Sequence, residues 1–219
     1  MKEKFKISYN PFFIFPFLCW VVAGAGILIA FTRRDIFYTV NTNYTDAADK
    51  IMYYATFLGQ GEVIVPALLL LVIMVPAFRN WWYFFLALCC NLIPFLIQQG
   101  LKSVFDAPRP HLRFYDRTWI HSLPEWPLLY HRSFPSGHSQ GAFSFFCFLS
   151  LLLPPRYNKL GIVFILLGLA VCYSRMYLAA HFFEDVYAGS LLGCTLTTII
   201  YSVMMPYKDQ FLNNEKPLI

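Results

Sequence analysis

The sequence predicts an all-α, polytopic membrane protein: one domain over residues 1–219, built as a six-transmembrane-helix bundle. Three observations lead there. Apolar residues make up 58% of the chain and charged residues only 13%, about half the charge of a soluble domain. The apolar residues gather in six runs near the length of a membrane crossing. The polar residues that bear chemistry cluster at the ends of those runs.

Each span has its own justification. The first, over 12–32, follows Lys2, Lys4 and Lys6. Ala23-Gly24-Ala25 inside it resembles a signal-peptidase site, but about twenty apolar residues favour a retained span. The second span is expected over 61–78 and the third over 81–101. The fourth covers 136–153 and ends at Pro154-Pro155, the fifth covers 160–174, and the sixth covers 186–205. The second and fourth are short and borrow interfacial residues at their outer ends. Pro11, Pro16, Pro66 and Pro94 lie within or beside spans, which membrane helices tolerate. Asn91, Gln98 and Gln99 are expected to bond between helices. Glu62, at the start of the second span, reads as an interfacial acid. All six cysteines lie in apolar runs without a CxxC spacing, which argues against a disulfide framework or a zinc site.

Charge gives partners and orientation. The formal charge is +5, and the cations flank apolar runs, where they meet lipid headgroups. No basic stripe suits nucleic acid, so the expected partner is the bilayer; nothing indicates an oligomeric state. With the N-terminus inside, the cytoplasmic segments hold Lys2, Lys4, Lys6, Arg79, Arg156, Lys159, Lys208 and Lys216, eight of the 17 cations; the other nine lie opposite, and without Lys102, Arg109 and Arg175 of the clusters six remain, a modest bias. The first helix dominates orientation, which places the polar clusters on the extracytoplasmic face. The short chain looks bacterial, so the expected location is an inner (cytoplasmic) membrane with the site facing the periplasm.

Three clusters carry chemistry: 102–110 (KSVFDAPRP), 135–138 (PSGH) and 174–185 (SRMYLAAHFFED). They lie after span three, before span four and between spans five and six, hence on one membrane side. Lys102, Arg109 and Arg175 lack a matching trio of acids, with Asp106 and Glu184 the nearest spare carboxylates. Cations gathered at a low-dielectric boundary need an anion. A phosphate suits them, because Arg offers a planar fork and Lys a compact charge. Ser136 is a good N-cap, a helix start presents free N–H groups to an anion, and Gly137 lets backbone approach closely. His181 and Asp185, four apart, would share a helix face and touch. The carboxylate would fix the imidazole tautomer and leave the other nitrogen free to attack. With His138 nearby, one histidine can take a phosphoryl group and the other can protonate the leaving oxygen. No step requires a metal or other cofactor.

The spacings Lys-x6-Arg-Pro, Pro-Ser-Gly-His and Ser-Arg-x5-His-x3-Asp resemble the three-part signature of the type-2 phosphatidic acid phosphatase superfamily, which includes membrane lipid phosphatases, glucose-6-phosphatase and vanadium haloperoxidases. The resemblance covers residues 102–193, and every signature position is filled. It implies that His181 is the nucleophile that becomes phosphohistidine, Asp185 its orienting partner and His138 the general acid. It implies a phosphate cradle of Lys102, Arg109, Ser136, Gly137 and Arg175. The expected activity is metal-independent hydrolysis of a phosphate monoester or pyrophosphate on a membrane lipid. Expected substrates are phosphatidylglycerol phosphate, polyprenyl pyrophosphate, phosphatidic acid or lipid A. Two alternatives stand beside it: transfer of the phosphoryl group to another lipid, and a non-catalytic lipid-binding or transport protein on the same fold.

His111, His121 and His131 recur ten apart in one loop without a short ligand pair and read as loop residues. The segment 111–134, with Tyr115, Trp119, Trp126 and Tyr130, is expected to lie on the bilayer as a lid that helps choose the headgroup. Asn43-Tyr44-Thr45 matches a glycosylation sequon, relevant only in a eukaryotic secretory host.

Overall fold

Local signals start most of the helices. Asn10 accepts the N–H of Phe12 and opens α1 (Pro11–Ala30), with Pro11 where a helix has no use for an N–H. A capping box of Thr32 and Asp35 opens α2 (Arg33–Asn41), and Thr45 caps α3 (Asp46–Ala55). A short 3₁₀ turn, Thr56–Gly59, leads into α4 (Gly61–Met74). Asn80 caps α5 (Trp81–Phe105), which ends with Asp106 in a left-handed conformation. The one-turn α6 (Pro110–Arg113) follows. Ser136 caps α7 (Gly137–Leu152), and then come α8 (Leu160–Tyr177), α9 (Phe183–Met204) and the short α10 (Lys208–Leu212). This computed structural model describes residues 9–212, and no strand occurs among them. Lys2, Lys4, Lys6 and Lys216, which bear on orientation, lie outside the described residues.

A helix stands at each of the six expected runs, with shifted ends. The third run continues as helix to Phe105, the fifth to Tyr177, and the sixth begins at Phe183. Apolarity marked the runs, but polar residues such as Lys102 and Ser103 continue a helix without difficulty. Among the described residues four helices, α1, α5, α8 and α9, are long and apolar enough to cross a membrane; α3 and α4, bent by 56° across Gln60, make up to five if that pair counts as one.

Small residues decide where helices meet. A Cβ at Gly193 would press on the Gln140 carbonyl and lie 3.0 Å from Ser144 N, and one at Gly189 would lie 3.3 Å from Gln140 N, so α7 and α9 pack backbone to backbone. Gly24 lies under the Tyr187 ring, and the Tyr187 hydroxyl donates to Val21 O at 2.7 Å. Gly24 in the Ala-Gly-Ala sequence is thus a contact point of α1 with α9. Gln98 and Gln99 bond not to another helix but to the segment ahead of α7: Gln98 donates to Pro135 O at 2.9 Å, and Gln99 accepts from Arg132 at 3.3 Å. Asn91 corrects the expectation of an interhelical bond: its amide donates to Ala87 O, one turn back in its own helix, at 2.9 Å.

The segment 33–60, read as a connection, holds α2 and α3, and these pack with the loop 111–134 over one end of the bundle. Asn41 donates to both His121 O (2.9 Å) and Tyr177 O (2.8 Å), and its Oδ1 accepts the His121 N–H. Phe37, Phe114, Trp119 and Phe182 form an aromatic cluster beside it. The loop expected to lie on the bilayer as a lid is therefore held onto the protein by hydrogen bonds and ring contacts.

Candidate active site

Three chain segments meet at that end: the turn after α5, residues 130–136 before α7, and the turn between α8 and α9. Backbone bonds lace them together. Arg109 N donates to Tyr130 O (2.8 Å), Ser133 N to Ala107 O (2.8 Å) and Ser136 N to Asp185 O (2.9 Å). The three predicted clusters converge on one place.

His181 is 1% exposed, and both its ring nitrogens have partners. Nε2 lies 3.3 Å from Arg109 Nη1. A guanidinium only donates, so Nε2 accepts and the proton resides on Nδ1. Nδ1 lies 3.4 Å from both Asp185 Oδ2 and Ser133 Oγ. Burial, then Arg109, Arg175, Lys102 and His138, hold the imidazole well below the ordinary histidine range, so it is neutral near pH 7.

The route by which His181 meets Asp185 differs from the expected shared helix face. Helix α9 begins at Phe183, and His181 sits in the turn before it. Asp185 is at the third helical position, where its Oδ2 turns back to accept the Phe182 N–H at 2.9 Å. A carboxylate is favoured there because the first N–H groups of a helix lack partners.

The cations are buried without acids. Arg175, 1% exposed, donates to Thr56 Oγ1 at 2.8 Å, lies 4.9 Å from the Trp126 ring centre, and keeps an Nε with no partner. Arg109 spends its fork on His131 O (2.7 Å), Ala180 O (2.8 Å) and Arg132 O (3.3 Å). Lys102 stands on the last turn of α5, half-buried. Among the described residues no carboxylate lies within 4 Å of these three. Glu184 pairs with Arg33, and Asp106 faces His131 at 3.9 Å. A cluster of cations at such depth is stable only with an anion among them.

His138 occupies the first turn of α7, with a buried Nε2 that has no partner. Lys102, Arg109 and Arg175 act electrostatically on both histidines, and His138 acts on His181. Ser136 Oγ accepts from Ser139 Oγ at 3.0 Å. Gly137 closely approaches Gln98, whose Nε2 would lie 3.3 Å from an added Cβ. A groove of about 560 Å³ runs from Lys102 and His138 down between α4 and α5, walled by side chains such as Leu68, Val72, Leu88 and Phe95.

Sequence reasoning missed Ser133, Thr56 and Trp126. Ser133 Oγ donates to Asp185 Oδ2 at 2.5 Å, and its only signal was its place two residues ahead of the Pro-Ser-Gly-His run. Thr56 carried none, and Trp126 was noted only as an interfacial aromatic.

Residues 80–208 match the model of the PAP2 superfamily. The chain is 34% identical to lipid phosphate phosphatase 2 of Arabidopsis thaliana over 87 residues, 35% of this chain and 30% of that protein. It therefore spans less than a third of that relative's length. It is 26% identical to phosphatidylglycerophosphatase B of Bacillus subtilis over 165 residues, 69% of this chain and 73% of the relative. Among solved structures, LpxE of Aquifex aeolicus is similar with a TM-score of 0.65 and 26% identity, covering 80% of this chain and 98% of that one. The first transmembrane PAP2 type phosphatidylglycerolphosphate phosphatase from Bacillus subtilis has a TM-score of 0.67 at 21% identity, covering 95% and 100%, a likeness of fold.

Proposed function

Because this chain belongs to the PAP2 superfamily, we propose that it is a membrane lipid phosphatase, hydrolysing a phosphate monoester or pyrophosphate on a lipid through a phosphohistidine at His181. The observation that carries this reading is the neutral, tautomer-fixed His181. Its Nε2 faces Arg109 amid three cations, two buried and one half-buried, that have no acid partners.

Nε2 attacks phosphorus as the P–O bond to the lipid breaks, and His138 gives its proton to the departing oxygen. Lys102 and Arg175 take the charge on the equatorial oxygens. Arg109, largely bound to backbone carbonyls, redirects the N–H that faces Nε2 to a phosphate oxygen as that lone pair attacks phosphorus. Water then attacks the phosphohistidine, giving its proton to His138, and inorganic phosphate leaves. The negative charge of the bound phosphate allows His138 to carry a proton amid three cations. No step is routed through a metal.

The groove supports a lipid substrate. It begins at Lys102 and His138 and is walled by apolar side chains on α4 and α5, so a phosphate held at the site leaves a hydrocarbon chain in apolar surroundings. The relative matched over most of its length makes phosphatidylglycerol phosphate the first lipid to test. We read six crossings, α1, α4, α5, α7, α8 and α9, with the site at the extracytoplasmic interface of a bacterial inner membrane. Arg79, Arg156, Lys159 and Lys208 lie at the opposite helix ends; the two sides carry nearly equal numbers of cations, so the orientation rests on the first helix.

Purified protein offered these lipid phosphates should release inorganic phosphate, with chelator making no difference. His181→Ala should lower release at least about 1,000-fold. Release at the wild-type rate by His181→Ala would refute the phosphohistidine route.

A further inference from the structure

Ser133 performs no chemical step in the route above, yet it touches both the nucleophile and its carboxylate. Its Oγ lies 2.5 Å from Asp185 Oδ2 and 3.4 Å from His181 Nδ1, and the residue is fully buried. We infer that Ser133 is a positioning residue for phosphoryl transfer, inserted between Asp185 and His181 to hold the attacking nitrogen in its lone-pair form. This rests on the phosphatase reading and deepens it.

The argument is one of donors and acceptors. A hydroxyl has one proton and two lone pairs. At 2.5 Å from a carboxylate oxygen, that proton points at Asp185. Oγ therefore presents a lone pair to Nδ1 and can only accept there. Asp185 Oδ2 also only accepts. The imidazole must place its proton on Nδ1, and Arg109 on the other side offers Nε2 only donors. The opposite tautomer would set N–H against N–H at Arg109 and lone pair against lone pair at Ser133.

The backbone around Ser133 strengthens the case. Its N–H is bound to Ala107 O at 2.8 Å, and the preceding carbonyl, of Arg132, accepts from Arg109 Nη2 at 3.3 Å. One dipeptide thus fixes the arginine on one side of the imidazole and the hydroxyl on the other. A shift of Ser133 would move both partners of His181 together.

The test uses the full chain in detergent micelles, with phosphatidylglycerol phosphate as substrate. Ser133→Ala should lower kcat at least about tenfold, the worth of a hydrogen bond to a charged group, and leave KM within about twofold. In a single turnover it should form the alkali-stable phosphoenzyme correspondingly more slowly. Ser133→Thr, which keeps the hydroxyl, should recover most of the rate. Because its extra methyl enters a filled site, a second arm stands beside it: in an Asp185→Asn background, Ser133→Ala should cost less than about threefold, since the Ser133 hydroxyl is aimed as an acceptor at Nδ1 only while the Asp185 carboxylate takes its proton. Undiminished kcat in Ser133→Ala, a loss confined to KM, or a full tenfold loss in the Asp185→Asn background would each overturn the inference. His181→Ala, run alongside, separates the two claims. If it retains wild-type release, the underlying phosphatase route fails; if it is inactive while Ser133→Ala is normal, only the role of Ser133 fails.

Discussion

Helices α7 and α4 both reach the site, yet α7 buries 11 of its 16 residues and α4 only three of 14. Both are strongly apolar, so hydrophobicity does not separate them. The small residues do. Gly189 and Gly193 on α9, set against the backbone of Ser136, Gln140 and Ser144, remove the side chains that would hold α7 and α9 apart. Helix α4 buries only the stripe Ile64, Leu68 and Val72, at i, i+4 and i+8, with Ala67 and Leu71 half-buried beside it and the other side chains exposed. One side of the site is therefore a closed seam that holds the candidate catalytic groups, and the other is a wall with a groove behind it.

The seam should be the less forgiving side. Gly193→Leu sets a side chain against the Gln140 carbonyl and Ser144 N, where neither backbone can yield. It should destabilise the protein by about 3 kcal/mol, read as a lowered thermal midpoint in detergent. Leu69→Ala, on the exposed face of α4, should change the midpoint little. Equal losses would dissolve the distinction between seam and wall.

Chemistry should follow the same division. Arg175→Lys removes the planar fork that reaches Thr56 and lies beside Trp126. It should lower kcat/KM about 100-fold for a lipid phosphate and for a short soluble phosphate ester alike. Leu68→Trp fills the groove. It should raise KM about tenfold for a long-chain lipid phosphate and leave the soluble ester unaffected. A parallel loss on both substrates would mean that the groove does not hold the hydrocarbon chain.

Much of the seam was legible in the sequence. Ser136 ahead of an apolar run reads as an N-cap and is one. His181 and Asp185 were found by spacing, although their contact comes from a turn and a helix start instead of a shared face. The partners that tune them were not legible. Thr56 is 119 positions from Arg175, and Ser133 is 48 from His181. A lone hydroxyl has no periodicity, and only the folded chain places it. Helices α2 and α3 were missed because they are short and mixed in polarity, and apolar length was the signal being read. Asn91 failed differently: an amide in an apolar helix wants a partner, and the nearest carbonyl is one turn away.

The smallest expected effect concerns protons on the seam side. His181 is neutral in the folded protein because burial and its cations oppose a charge, while in the unfolded chain it titrates near 6.5. Below that pH the unfolded state binds a proton that the folded state refuses. Stability contributed by this residue is therefore intact above about pH 6.5 and declines on acidification. Between pH 7 and pH 6 the loss from this one residue is about 0.7 kcal/mol. The useful quantity is a difference, which isolates this residue. His181→Gln should show a shallower fall in thermal midpoint over that interval than the parent, whereas Leu68→Trp on the groove side should fall in parallel with it. A parent and His181→Gln that lose stability equally on acidification would mean that His181 accepts a proton in the folded protein, and the neutral nucleophile would go with it.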